Sequence, residues 1–204
     1  MQKVIPAILT ADPKDLLRKL EILRGNTQWV QIDVTDSTAP LSILEGEELS
    51  LDLEIHLMVQ DPASRFRACQ TVRAKRVLFH AEHVPSFVKL FDEMQNYSFE
   101  RGIALNPETQ LAAVKQVRQQ IDSVLCLSVH PGSQGQRFIP SVLEKVRALR
   151  VFSPDILIGM DGGINTANIV QVFEAGADYA VVGSALWKSR DPVNQLRKLE
   201  AMVQ

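Results

Sequence analysis

The chain has 204 residues, of which 46% are hydrophobic and 23% are charged, as is ordinary for a globular protein. Its formal net charge of -2 at pH 7 gives no field of one sign, which argues against a large nucleic-acid surface. Because no run of 18 apolar residues is present and the N-terminus begins with strand-like sequence, neither a membrane span nor a signal peptide is expected.

Short apolar runs alternate with amphipathic stretches along the whole chain. Eight of these runs are typical of strands, at residues 4–9, 29–34, 51–58, 76–80, 101–105, 123–129, 156–160 and 179–182. The segments between them carry helix patterns, such as residues 13–23, where apolar side chains recur at three- and four-residue spacing. A polar N-cap followed by proline predicts four helix starts, at Asp12, Asp61, Asn106 and Asp191.

Eight strand–helix alternations predict a parallel sheet covered by helices. The second unit is the tightest, because only residues 35–50 separate strands 2 and 3 and Gly46 interrupts them. An open doubly wound sheet is the competing architecture, but it would require a glycine-rich turn after strand 1, and residues 9–12 contain no glycine. With no linker or low-complexity tract, the sequence predicts one α/β domain over residues 1–204, a (β/α)8 TIM barrel with a shortened second unit.

Two turns near the C-terminus each follow a predicted strand and precede a helix-like segment. Asp161-Gly162-Gly163-Ile164 follows strand 7, and Gly183-Ser184-Ala185 comes 22 residues later, after strand 8. Exposed amides at helix N-termini favour an anion, and in a (β/α)8 barrel these two loops commonly bind phosphate. The pair of turns therefore predicts a phosphate site.

Polar side chains stand at the predicted strand ends, where a barrel of this kind carries its chemistry. Gln31 and Asp33 face the same side of strand 2, and an aspartate within an apolar strand is costly to bury unless it is paired or functional. We interpret Asp33, His56 and Asp161 as site residues. The alternative roles are a structural carboxylate for Asp33, a buried core histidine for His56 and a helix cap for Asp161. The remaining histidines read as rim, core or loop residues: His80, His83 and His130.

Two aspartates that face each other across a pocket suit removal of a proton from one face of a carbon and its return to the other. Such a proton must be acidified by an adjacent carbonyl, and the enediolate that forms needs positive charge or hydrogen-bond donors nearby. One carboxylate should start ionised and the other protonated. A carboxylate–imidazole cluster could also hold Zn, Mn, Fe or Co.

These residues occur within a run of motifs that resembles the ribulose-phosphate 3-epimerases, among the ribulose-phosphate-binding barrels. The resemblance extends from end to end and is carried by residues 5–12, 31–36, 56–58, 104–107 and 128–138 together with the two glycine turns. It implies 3-epimerisation of a ketopentose phosphate, most simply between D-ribulose and D-xylulose 5-phosphates. Asp33 and Asp161 would then be the acid/base pair, with a divalent metal on Asp33, His56 and Asp161. The substrate and its phosphate would contact His56, Gly132, Gly135, Gly162, Gly163, Gly183 and Ser184.

The resemblance also implies an enzyme of carbohydrate metabolism whose partner is a small sugar phosphate, with no nucleic acid and no membrane. A homo-oligomer is expected because members of this family often form oligomers. Cys69 and Cys126 have no partner at metal-ligand spacing, so they are expected to be buried free thiols in a reducing cytoplasm.

Several positions depart from the family pattern. Gln31 stands where the family has a histidine metal ligand, and a neutral amide is a poorer donor than imidazole for Zn or Co. Ala7 replaces a substrate-contacting serine, Thr35 replaces a methionine, and Gln134 stands where glycine is usual. Two alternatives to an epimerase therefore stay open: a phosphosugar isomerase or lyase, or a non-catalytic phosphosugar-binding barrel that has lost the metal site.

Overall fold

A computed structural model describes residues 4–38, 40–84, 86–130 and 135–204. Eight parallel strands follow one another around a closed barrel, and β8 pairs with β1 to complete it. The strands are β1 Val4–Ile8, β2 Trp29–Thr35, β3 Asp52–Met58, β4 Arg76–His80, β5 Glu100–Leu105, β6 Ser123–Leu127, β7 Leu157–Asp161 and β8 Tyr179–Val182. The predicted (β/α)8 barrel is thus confirmed, and closure rules out the open doubly wound sheet.

Helices connect the strands, and their apolar faces pack on the outer side of the barrel. The second unit is short, as predicted, because α2 has only five residues. A single 3-10 turn, Ala81–His83, follows β4. The helices are α1 Pro13–Leu23, α2 Pro40–Leu44, α3 Ala63–Thr71, α4 Phe87–Met94, α5 Ala112–Val117, α6 Val142–Phe152, α7 Ile169–Glu174, α8 Ser184–Trp187 and α9 Pro192–Ala201.

Two of the four predicted caps are confirmed. The carboxylate of Asp12 accepts a hydrogen bond from the amide of Lys14 at 3.0 Å, and that of Asp191 accepts one from Asn194 at 3.0 Å.

The predictions at Asp61 and Asn106 were wrong. At the start of α3 no side-chain cap forms, and it is the Asp61 carbonyl that accepts a hydrogen bond, from Ser64 Oγ at 2.7 Å. After Asn106 the chain makes a turn, and α5 begins only at Ala112. The backbone N–H of Asn106 donates to Glu82, and its backbone carbonyl accepts from Lys145. Tertiary contacts therefore fix this segment as a turn, and no helix begins there.

The N-terminal end of the barrel interior is filled by three buried polar side chains, Glu54, Arg76 and Tyr179, which we call the floor network. Each is at most 2% exposed. Arg76 Nη1 lies 2.6 Å from Glu54 Oε2, and the Tyr179 hydroxyl donates to the same oxygen at 2.9 Å. The Arg76 guanidinium also lies over the Tyr179 and Trp29 rings. The floor network closes the barrel at the N-terminal ends of the strands, so the barrel interior opens at their C-terminal ends.

Both cysteines are buried free thiols, as expected. Burial raises the pKa of Cys69 and of Cys126 to about 12 in each case. Among the described residues, none of the helices has the length and apolar character that crossing a bilayer requires.

Candidate active site

A cavity of about 350 Å³ lies at the C-terminal ends of the strands. It is the expected position for chemistry in this architecture. The structure brings nearly all of the predicted site residues to its wall: Asp33, His56, Asp161, Gly135, Gly162, Gly163, Gly183 and Ser184. Gly132, the remaining predicted phosphate contact, lies outside the described residues.

Sheet register places the acidic and imidazole groups together. Asp33 on β2 is the direct neighbour of His56 on β3, and Asp161 is the last residue of β7, across the barrel. One ligand-type atom from each of these three residues lies within 4.8 Å of the other two. The Nδ1 atom of His56 is 3.2 Å from Asp33 Oδ1 and 3.9 Å from Asp161 Oδ2.

Gln31 occupies the position between the two carboxylates. Its Nε2 atom donates to Asp33 Oδ1 at 2.8 Å and to Asp161 Oδ2 at 3.0 Å. The residue is fully buried, and its Oε1 atom has no hydrogen-bond partner within the described part of the structure. The sequence identified Gln31 only as a departure from a family ligand, because the direction of its amide depends on β7, which lies far away in the sequence.

Burial controls the protonation of the cluster. Desolvation raises the pKa of Asp33 to about 7, despite the opposing hydrogen bond from Gln31. Desolvation also raises the pKa of Asp161 to about 7, and the nearby charge of Asp33 adds to that effect. The same cause lowers the pKa of His56 to about 4, so its imidazole is neutral near pH 7. Because the carboxyl groups interact, they titrate as a pair that shares a proton near neutral pH.

A row of histidines extends the site toward β4. His80 is fully buried, and its Nε2 atom lies 2.9 Å from Nε2 of His56. His83 stacks on His80 with ring centroids 5.1 Å apart and lines the cavity. From the sequence alone, both histidines are interpreted as rim or core residues. Their place directly at and after the end of β4 was the signal that could have assigned them to the site.

The turn after β7 requires glycine for two reasons. Gly162 and Gly163 have φ angles of +118° and +64°, in the region that side chains rarely adopt. A Cβ on Gly162 would lie 2.9 Å from the Val129 backbone nitrogen, and one on Gly163 would lie 2.6 Å from that of Phe138. Ser128 Oγ donates to the Asp161 and Gly162 carbonyls, which fixes the chain as it enters this turn. The loops after β6 and β7 are therefore packed closely beside Asp161.

The three-residue cluster has the donor set for a divalent cation. Two carboxylates and an imidazole suit Zn, Mn, Fe or Co. His56 presents Nδ1 to the carboxylates while Nε2 contacts His80, and such a second contact orients a ligating imidazole. Asp33, His56 and Asp161 therefore fit a metal, whereas the Gln31 amide faces the carboxylates through nitrogen, which is not a metal ligand.

Comparison of the sequence with known proteins identifies its family. Residues 3–187 match the model of the Ribulose-phosphate 3 epimerase family. The chain belongs to this family. Ribulose-phosphate 3-epimerase of Bacillus subtilis is 32% identical over 205 residues, which cover 94% of each chain. The Aquifex aeolicus protein of the same name is 31% identical over 100% of this chain and 97% of its own. The chain is accordingly an enzyme of the isomerase class.

Solved structures with lower sequence identity share the fold. A crystal structure of 3-hexulose-6-phosphate synthase aligns with a TM-score of 0.77 at 17% identity, covering 99% of this chain and 100% of that one. Orotidine 5'-monophosphate decarboxylase from Sulfolobus solfataricus aligns with a TM-score of 0.73 at 12% identity, covering 100% and 98%. At such identities the likeness shows the barrel architecture alone.

Proposed function

We propose that this protein interconverts D-ribulose 5-phosphate and D-xylulose 5-phosphate by moving the proton at C3. The observation that carries the proposal is a pair of carboxyl groups that line one cavity, the buried Asp33 on β2 and the partly buried Asp161 on β7. Membership of the ribulose-phosphate 3-epimerase family supports the choice of substrate.

The proposed reaction uses each carboxyl group once. The ionised carboxylate removes the C3 proton, and the electrons of the C–H bond form the C2–C3 double bond of an enediolate as charge moves onto the C2 oxygen. The protonated carboxyl group then delivers its proton to the opposite face of C3, which restores the carbonyl with inverted configuration. The two groups end in exchanged protonation states, ready for the reverse direction. Their raised pKa values make the singly protonated pair available near neutral pH.

A divalent cation on Asp33, His56 and Asp161 would supply Lewis-acid stabilisation of the enediolate oxygens. The neutral imidazole of His56 is in the protonation state that a ligand needs, since burial lowers its pKa to about 4.

The phosphate end of the substrate is assigned to the loops after β6, β7 and β8. Gly135, Gly163 and Gly183 come from these three loops and line the same cavity, as does Ser184 at the start of α8. A Cβ on Gly135 would lie 2.9 Å from Nζ of Lys188, so a cation stands beside this end of the pocket. Main-chain amides and a nearby ammonium together favour a dianion there.

The test is exchange of the C3 proton in deuterated water, followed by NMR on D-ribulose 5-phosphate. We expect Asp33→Asn and Asp161→Asn each to reduce exchange by about 10²–10⁴-fold. Asp52→Asn is the matched control, because Asp52 opens β3 at the other end of the barrel. Full exchange in either site variant would refute the two-acid mechanism, and no exchange by the unmodified protein would favour the non-catalytic alternative. A panel of ketose phosphates would separate this reaction from a phosphosugar isomerase or lyase.

The cytoplasm is the proposed compartment, because two free thiols suit a reducing environment. A homo-oligomer stays an expectation of the family resemblance.

A further inference from the structure

The geometry points to Gln31 as a positioning residue: its amide holds Asp33 and Asp161 together, and a divalent cation has to compete with this arrangement. The inference rests on the proposed function for its catalytic consequence. Its structural part, the competition with a cation, does not depend on which substrate is bound.

The first support is the direction of the amide. One nitrogen atom donates to a carboxylate oxygen of β2 at 2.8 Å and to one of β7 at 3.0 Å. An NH2 group has two hydrogens, so it can satisfy both acceptors at once. The opposite orientation would turn the amide oxygen toward two carboxylate oxygens, which are acceptors only when both groups are ionised. The nitrogen-first orientation is therefore the one that an ionised pair of aspartates selects.

The second support is burial. Gln31 is 0% exposed and Asp33 is 7% exposed, so water competes poorly for the hydrogen bond between them. The side chain of Asp161 is 20% exposed, so its bond to Gln31 is partly buried. Hydrogen bonds to carboxylates are stronger than neutral ones, and they strengthen further in a medium of low polarity. Gln31 also lies on a strand, between Ala7 of β1 and Glu54 of β3 in the sheet register. Its backbone is thus fixed, and the amide can act as a rigid link.

The third support is the Oε1 atom, which has no hydrogen-bond partner in the described part of the structure while the nitrogen makes two bonds. For this oxygen to ligate a cation shared with Asp33 and Asp161, the amide would have to turn over. Turning it breaks both hydrogen bonds to the carboxylates. A histidine at this position would give up no such bonds, because its nitrogen would be the ligand itself. Gln31 therefore arranges the acid/base pair through the protein's own hydrogen bonds and weakens the cation site.

The experiment compares the unmodified protein with three variants after treatment with a chelator and dialysis. Gln31→Met keeps the side-chain length and removes both N–H donors, and Gln31→His introduces a nitrogen ligand. Gln28→Met is the matched control, since the Gln28 amide donates to a different carboxylate, Asp52, just before β2. Circular dichroism and urea unfolding establish that each variant is folded before any comparison.

Binding of Zn²⁺ or Mn²⁺ alone is measured by calorimetry. We expect Gln31→His to bind the ion at least about 10-fold more tightly than the unmodified protein. Gln28→Met should bind it like the unmodified protein. Equal affinities of Gln31→His and the unmodified protein would overturn the inference, whatever the enzyme's activity.

Kinetics in the presence of excess chelator give the second measurement. The unmodified protein should keep measurable C3 exchange without the ion. Relative to it, Gln31→Met should lose about 100-fold in kcat with little change in KM, because the misplaced groups act on the reaction and the phosphate contacts are untouched. Complete loss of exchange by the unmodified protein on chelation, with full recovery on adding the ion, would overturn the positioning role.

Crystal structures of the chelator-treated proteins separate the two proposals if no exchange is detected under any condition. The inference stands if the unmodified protein keeps both amide–carboxylate bonds and Gln31→Met moves the two carboxyl groups apart. It falls if the carboxyl groups keep their positions in Gln31→Met. In either case the absence of exchange counts against the epimerase assignment alone.

Discussion

Asp33 and Asp161 show how a residue proposed for catalysis can oppose the stability of its own fold. Asp33 is buried and Asp161 is partly buried at the C-terminal end of the barrel, and desolvation raises the pKa of each carboxyl group to about 7. The ionised form is thus disfavoured in the folded state relative to the unfolded chain, where a carboxyl group is solvated. A pair that is easy to protonate near neutral pH is useful for moving a proton, but ionising it costs folding free energy.

Replacing Asp33 by asparagine should therefore stabilise the protein in a pH-dependent way. The folded-state pKa lies above the unfolded value of 3.8, so the folded protein binds the proton more tightly and loses stability as pH rises from about 4 through 7. Asp33→Asn removes this loss, and we expect a gain on the order of 2 kcal/mol at pH 8 relative to pH 5. Urea unfolding with chelator at both pH values measures it. The prediction fails if Asp52→Asn shows the same trend.

The same two groups should determine the pH dependence of C3 exchange. At low pH both carboxyl groups are protonated and no base is present, while at high pH both are ionised and no acid is present. We expect a bell-shaped profile centred near pH 7, measured as deuterium uptake at substrate concentrations well below KM, where the rate reports the groups of the free protein. A rate that continues to rise well above neutral pH would show that the carboxyl pair does not share a proton.

An aspartate followed by proline caps a helix at some positions of this chain and not at others. Asp12 and Asp191 cap α1 and α9 through their side chains, and each is followed by proline at the start of the helix. Asp61 also precedes a proline, yet no side chain caps α3. The sequence motif is the same in all three places. Asp12 and Asp191 are N-caps with extended backbone, whereas Pro62, in helical conformation, is the N-cap of α3.

The three aspartates give a matched test of capping. Asp12→Ala and Asp191→Ala should each destabilise the protein by about 1 kcal/mol, because an amide in the first turn of the helix loses its acceptor. Asp61→Ala should have little effect. Urea unfolding of the three variants measures the differences, and a loss at Asp61 equal to the other two would show that its carboxylate has a role other than capping.

The elements and the meeting of Asp33, His56 and Asp161 at one cavity were largely predictable from the sequence, because each depends on local patterns. Apolar runs and their polar ends located the strands and placed Asp33, His56 and Asp161 at one end of the sheet. The direction of the Gln31 amide and the contact of His80 with His56 were not predictable in the same way. Both depend on side chains that meet across different strands. The helix start predicted at Asn106 was wrong for a related reason, since the backbone of Asn106 is hydrogen-bonded by Glu82 and Lys145, which lie elsewhere in the chain.

At the scale of the whole molecule, the barrel separates a structural end from a chemical end. The floor network of Glu54, Arg76 and Tyr179 fills the lower interior with paired charge, and the cavity with its acid pair occupies the upper interior. Arg76 also reaches Glu100 at 2.8 Å, so the network links β3, β4, β5 and β8. Strands that are distant in sequence are thereby connected below the site.

Breaking one partner of the floor network should be more harmful than replacing both. Arg76→Met leaves the Glu54 carboxylate buried without its cation, and we expect a loss of about 3–5 kcal/mol. The double variant Glu54→Met with Arg76→Met removes both charges and should be more stable than the sum of the single changes predicts. A double-mutant cycle in urea measures the coupling. Strict additivity would mean that the two side chains act independently.

Because Cys69 lies in α3 and Cys126 in β6, both sealed from solvent and poorly ionised, the folded protein should be inert to alkylating reagents. Any modification at neutral pH would then record the moment at which one of these segments opens. Cys69 in the outer helical layer and Cys126 in the barrel wall can thus each report local unfolding, since mass spectrometry detects the alkylation of either thiol.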